Sequence, residues 1–154
     1  MLFIILLLLI IVIGICGGIS TISIINTIID MEGLIEAQYA ANKYFFELMW
    51  EKIIISAKIT EHKTDKVKSI FIGLILQKET NFDNLLVSIK KINPDLSSII
   101  VTELQRIVSI ATRTCANNQF AITERISEYN EYIQKHSITN KFLNREKREV
   151  EYQI

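Results

Sequence analysis

Residues 2–29 read LFIILLLLIIVIGICGGISTISIINTII, and no side chain in this run carries a charge. Its first part, Leu2 to Ile13, is wholly aliphatic or aromatic. A helix needs about 20 apolar residues to cross the hydrocarbon of a bilayer, so the run is long enough to span. A cleaved signal peptide would carry a basic start, a shorter apolar stretch and a small-residue cleavage site. No Lys or Arg precedes the apolar run here, and Ile15 stands where a lipoprotein signal wants a small residue before its Cys. The expectation is a single membrane-spanning segment over 1–29. Within it, Gly14 and Gly18 are four apart and form a small-xxx-small patch of the kind that lets a second helix approach closely.

Beyond Ile29 the composition changes. The 154 residues hold 17 basic and 17 acidic side chains, the first being Asp30. The orientation rule counts Lys and Arg near the ends of a span. It finds only Lys43, among Asp30, Glu32, Glu36 and Glu47, and so assigns no side. Cys16 lies in the span and Cys115 in the polar part, which gives no disulfide framework.

Pro94 is the only proline, and all five glycines precede residue 74. So few breakers favour long helices over a sheet with many turns. The expected fold is all-α: a transmembrane helix continuing into an antiparallel bundle of about three long helices over 30–140, then a polar tail over 141–154, read as a solvated helix end or a frayed terminus. Leu34, Ala41, Leu48 and Ile55 recur at seven, widened by Phe45 and Ile59, and predict the inward face of the first helix to about Thr60. Trp50 is expected in the core. A second helix is predicted from Thr64 or Asp65 to Ile92, with the apolar run Ile70–Leu76 read as buried helix. Asn93-Pro94-Asp95 ends it, because a residue before proline avoids helical geometry. Ser97 or Ser98 then offers an N-cap. In the third helix Val101, Leu104, Val108, Ala111, Cys115, Asn118, Ile122, Arg125, Tyr129 and Tyr132 alternate three and four apart, a coiled-coil-like seam. Asn118 either fixes register from within that seam or lies at its edge.

Several short motifs resemble those of the LemA family. Ile25-Asn26-Thr27-Ile28-Ile29 stands where the family has Tyr-Asn-x-Leu-Val, and Ala37 follows Asn26 at the family's spacing. Asn93-Pro94-Asp95-Leu96-Ser97-Ser98 is similar to the family's Tyr-Pro-Asp-Leu-Lys-Ala at Pro94, Asp95 and Leu96. Leu104-Gln105 is similar to a Leu-Gln pair, and Arg125 with Tyr129-Asn130 to an Arg and a Tyr-Asn further on. The family's Arg-Arg-x-Asp-Leu-Ile-Pro-Asn-Leu-Val block has no counterpart near Phe45 to Ile55. The step from Leu104 to Tyr129 is longer by about two helical turns, which keeps the same face inward. The resemblance implies a membrane-anchored antiparallel helical bundle and no defined activity.

No catalytic or cofactor constellation emerges. Cys115 is the one nucleophile on an apolar seam, where a cysteine acts as a small hydrophobe. His62 and His136 are the available bases, and His62 sits in a polar Glu61-His62-Lys63 stretch. Glu124, Glu128 and Glu131 share a helical face but lack the Glu-x-x-His of bundle metal sites. There is no phosphate-binding glycine loop. The tail mixes Lys141, Arg145, Lys147 and Arg148 with Glu146, Glu149 and Glu151, which is no one-sided nucleic-acid patch. The sequence therefore points to a non-enzymatic scaffold or interaction module. Its expected partners are the lipid bilayer and another protein or itself, with no cofactor, metal, nucleic acid or small-molecule substrate. The alternative expectation is a holin-like protein whose single span oligomerises and permeabilises the membrane.

Overall fold

The computed structural model describes residues 2–59, 64–76 and 81–151. It is all-α, with α1 Leu2–Ala57, α2 Asp65–Ile75, α3 Phe82–Lys90, α4 Ser98–Lys135 and α5 Ser137–Leu143. No strand occurs among the described residues. The apolar N-terminal helix runs into the bundle without a break, as expected, and Ile70–Ile75 is helical. The second predicted helix is instead two short ones. Asn81 is extended, and its side chain accepts a hydrogen bond from the Asp83 amide at 2.8 Å, a fresh N-cap that starts α3. The chain divides into two compact units: Met1–Glu36 with Glu124–Val150, and Ala37–Thr123 with Glu151–Ile154.

The face predicted for α1 is offset by one residue. Leu34 is 51 % exposed and Ile55 67 %, while Ile35 and Ile53 are fully covered. Ala41 is exposed as well, and Leu48 is half-buried. The buried row is Ile28, Ile35, Tyr39, Asn42, Phe46, Met49 and Ile53, with half-buried Glu32 in line. With Glu32 included, these positions alternate four and three apart. Two of them are polar, which is why an apolar pattern selects the neighbouring row. Both are satisfied across the fold. The Asn118 amide donates to Asn42 Oδ1 at 3.3 Å, and the Tyr129 hydroxyl donates to Glu32 Oε1 at 2.9 Å. A buried polar group is tolerated on those terms.

On α4 the expected seam residues Leu104, Val108, Ala111, Cys115, Ile122 and Tyr129 are buried, and Val101 is half-buried. Past Ile122 the pattern shifts: Ile126 and Ile133 are buried where Arg125 and Tyr132 were expected, and these two are only half-buried. Leu104, Val108, Ala111 and Cys115 are each matched eighteen residues on by Ile122, Ile126, Tyr129 and Ile133. Eighteen residues make five turns of a straight α-helix, whereas a strict seven-residue repeat requires a supercoil. The burial on α4 follows the straight helix.

In the second unit, Phe71 stacks on Phe46 (centroids 5.4 Å apart) and on Trp50 (6.0 Å), which places Trp50 in the core. Lys68 lies over Phe46 and Trp50 and pairs with Glu47 at 3.3 Å. Helix α1 ends with Lys58 left-handed (φ 51°), and the Ile59 amide bonds back to the Ile54 carbonyl at 3.1 Å. That is a Schellman closure built on a lysine rather than the usual glycine. The Asn93 amide donates to the Ala57 carbonyl at 3.0 Å, so the Asn-Pro-Asp corner also seals this end. Ser97 caps α4 by accepting from the Ile100 amide at 3.4 Å. Asn42 and Lys52 on α1 lie near Asn118 and Glu103 on α4, an antiparallel arrangement.

Candidate functional site: a bare apolar helix and the polar clasp of the same unit

In the first unit every described side chain of α1 from Phe3 to Ser23 is exposed. This section is about 30 Å long at 1.5 Å per residue, the thickness of the hydrocarbon layer. Fully burying one aliphatic side chain gains roughly 1.5–3 kcal/mol, so leaving this surface in water forgoes tens of kcal/mol. Monomeric soluble proteins rarely expose a contiguous apolar patch of this size. Hydroxyls near its end are satisfied within the helix: Thr21 donates to the Gly17 carbonyl at 2.9 Å, and Thr27 to the Ser23 carbonyl at 3.0 Å. Lipid supplies no partner for such groups, so internal pairing is what a spanning helix requires. A Cβ placed on Gly14, Gly17 or Gly18 would meet nothing within 4 Å. The Gly14/Gly18 patch is thus open.

Cover begins at Ile24 and becomes complete at Ile28. There the unit is fastened by a clasp of charged and amide side chains. Tyr129 bonds Glu32, and Arg145 pairs with Glu32 at 3.3 Å. Arg148 pairs with Glu36 at 2.6 Å and lies over the Tyr129 ring, 5.8 Å from its centroid. Asn130 grips the backbone of Arg148 in both directions, donating to its carbonyl and accepting from its amide, each at 2.9 Å. Lys147 reaches Gln134 at 3.2 Å. The segment 145–150 is therefore strapped down, not frayed. It runs parallel to α1, with Arg145 at Glu32 and Arg148 at Glu36, and antiparallel to α4, with Lys147 at Gln134 and Arg148 at Asn130. It follows that α1 and α4 are antiparallel in this unit too. Burial and the bond to the Glu32 carboxylate push the Tyr129 phenol above its usual range. The hydrogen bond to Glu36 raises the Arg148 guanidinium.

Within the second unit, the Tyr39 hydroxyl accepts from the Glu151 amide at 3.2 Å, while Gln119 donates to the Glu151 carbonyl at 3.4 Å. Tyr39 is buried and Tyr44 is exposed.

The clasp residues Glu32, Glu36, Asn130, Arg145 and Arg148 were not singled out from sequence. A signal was present: two carboxylates four apart on one helical face, and two arginines three apart in the tail. Charge spacing alone does not say which pairs meet. Of the residues weighed for chemistry, Cys115 and His136 fall in different units. Cys115 is buried in the second unit, where desolvation raises its thiol and suppresses the reactive thiolate. His136 belongs to the first unit, its ring tilted 45° against that of Tyr132 with centroids 4.6 Å apart. His62 lies outside the described residues. Glu124, Glu128 and Glu131 are exposed, and no group of three metal-binding side chains forms among the described residues. No family model, curated protein or solved structure matches the chain.

Proposed function

We propose that this chain is a single-pass membrane-anchored helical scaffold of the LemA-like type, with no catalytic step, whose helical part binds another protein or a second copy of itself. The observation that carries the reading is the uninterrupted exposure of Phe3–Ser23, next to a section of the same helix that is buried and hydrogen-bonded. An apolar helix of bilayer length with internally satisfied hydroxyls is suited to lipid. The binding part of the reading draws on large apolar side chains that the second unit leaves uncovered, among them Tyr44, Ile55, Ile99 and Phe120. The open Gly14/Gly18 patch is the surface we assign to pairing of spans.

The test is site-specific photo-crosslinking in native membranes. A photoreactive side chain at Ile55 or Phe120 should give one discrete adduct, and one at Gly14 should give a band of twice the chain mass. Absence of any adduct from these positions would contradict the scaffold reading. A chain that retained a measurable hydrolytic activity, lost in Cys115→Ala, would contradict it as well.

A further inference from the structure

The clasp sets how far α4 reaches toward the membrane end of the first unit. Tyr129 is level with Glu32, and α4 runs antiparallel to α1 from there. Lys135, the last residue of α4, lies six residues beyond Tyr129, about 9 Å along the helix axis. That depth corresponds to Asn26 of α1, inside the uncharged run. The exposure pattern agrees independently: Phe3–Ser23 are bare and Ile24 is the first side chain of α1 to be partly covered. After the single turn residue His136, α5 begins. The end of α4 and α5 therefore stand where the spanning helix leaves the hydrocarbon. Two features suit this place. Ile138 is 77 % exposed, a large aliphatic side chain with no protein cover. From Tyr132 to Asn144 the only charged residues are Lys135 and Lys141, both basic and both exposed.

We propose that the end of α4 and α5 form a membrane-surface foot, in which Ile138 enters the boundary of the acyl chains and Lys135 and Lys141 bind anionic phospholipid headgroups. An exposed apolar side chain flanked by lysines is held at an interface by apolar burial and by attraction of the lysines to anionic lipid. Exposed Asp30 and Glu131, level with each other, stand four residues (about 6 Å) farther from the membrane end than Lys135, and Glu146 and Glu149 follow Arg145 on the returning strap. Glu32 and Glu36 are neutralised by Arg145 and Arg148, and Glu124, Glu128 and Glu131 lie earlier on α4, farther from the membrane end. The foot rests on the reading of α1 as a span.

The test uses the full chain reconstituted in vesicles of phosphatidylcholine, alone or mixed with phosphatidylglycerol. Cys16→Ser leaves an introduced cysteine as the accessible thiol, since Cys115 is buried. A nitroxide is attached through Ile138→Cys, or through Leu9→Cys or Ile99→Cys as references. Its accessibility to oxygen and to a water-soluble nickel chelate reports depth. The expected result is a label at Leu9 deep in the hydrocarbon, one at Ile99 in water, and one at Ile138 shielded from the chelate, more so with phosphatidylglycerol. Lys135→Gln and Lys141→Gln should each lower the ratio of shielded to water-exposed label by about five-fold in the anionic vesicles. A Leu9 label in water would overturn the span and the foot together. A Leu9 label in hydrocarbon with an Ile138 label as wet as that at Ile99 would overturn the foot alone. Shielding at Ile138 that is indifferent to both lysines and to phosphatidylglycerol would overturn the headgroup site.

Discussion

Helix α1 contains two sections that obey opposite rules. From Phe3 to Ser23 the chain is richest in aliphatic residues and wholly exposed. From Ile28 to Ala57 it carries Glu, Lys, Asn and Gln, yet one face is covered along its length. Hydropathy and burial thus run in opposite directions along one helix. In the second section a side chain is buried because another helix lies on it. In the first, no described side chain covers the surface, and the section is long and apolar enough to cross a membrane. The polar members of the buried row show the same logic from the other side. Glu32 and Asn42 are accepted inward because Tyr129 and Asn118 meet them.

The largest effect is expected where protein supplies the cover. Phe71→Ala removes a ring stacked on both Phe46 and Trp50 and should lower the unfolding free energy of the detergent-solubilised chain by about 3–5 kcal/mol, read by urea titration. In the bare section, Leu9→Arg should leave that titration unchanged. It should instead oppose membrane insertion by about 2.5–3.5 kcal/mol, seen as loss of chain from the membrane fraction. A pair of substitutions then separates the two rows of the second section. Ile53→Ala should cost about 2–5 kcal/mol, while Ile55→Gln should stay within about 0.5 kcal/mol. Equal costs would mean that the buried row has been placed wrongly.

The clasp offers a subtler test. Tyr129→Phe removes a hydroxyl donated to a carboxylate and should cost roughly 1.5–3 kcal/mol. Its pH signature has a definite sign. The folded phenol lies above its ordinary 10.0, so it contributes stability that is fully present below that pH. This contribution fades as the pH rises from there through the raised value, because the unfolded chain ionises first. The Tyr129→Phe chain should lack this alkaline component. The smallest effect is a gain: Lys58→Gly should stabilise by about 1 kcal/mol, by relieving a left-handed lysine that closes α1. A loss there would show that the lysine side chain contributes more than its backbone strain costs.

How much of this was legible beforehand follows from the same comparison. The bare section was plain in the sequence, because absence of charge over a bilayer length needs no partner to be recognised. The all-α class and the run-on of the first helix followed from the scarcity of breakers. The buried face of α1 was not legible. Leu34, Ala41, Leu48 and Ile55 form the cleaner apolar row, and only knowledge of Asn118 and Tyr129 makes Asn42 and Glu32 credible as inward residues. On α4 the three-four alternation found Leu104, Val108, Ala111, Cys115, Ile122 and Tyr129 but missed Ile126 and Ile133, because a straight helix leaves a seven-residue repeat by about 20° each heptad. The clasp was hidden for a further reason. A mixed-charge tail looks solvated until Arg145 and Arg148 are seen to meet carboxylates far away in the chain.

The most direct test of the contrast is an alkaline carbonate wash of membranes from cells expressing the full chain. A helix with Phe3–Ser23 in the hydrocarbon keeps the chain in the bilayer pellet, and Leu9→Arg shifts it toward the supernatant. Release of the unaltered chain into the supernatant would contradict the assignment of the bare section to lipid.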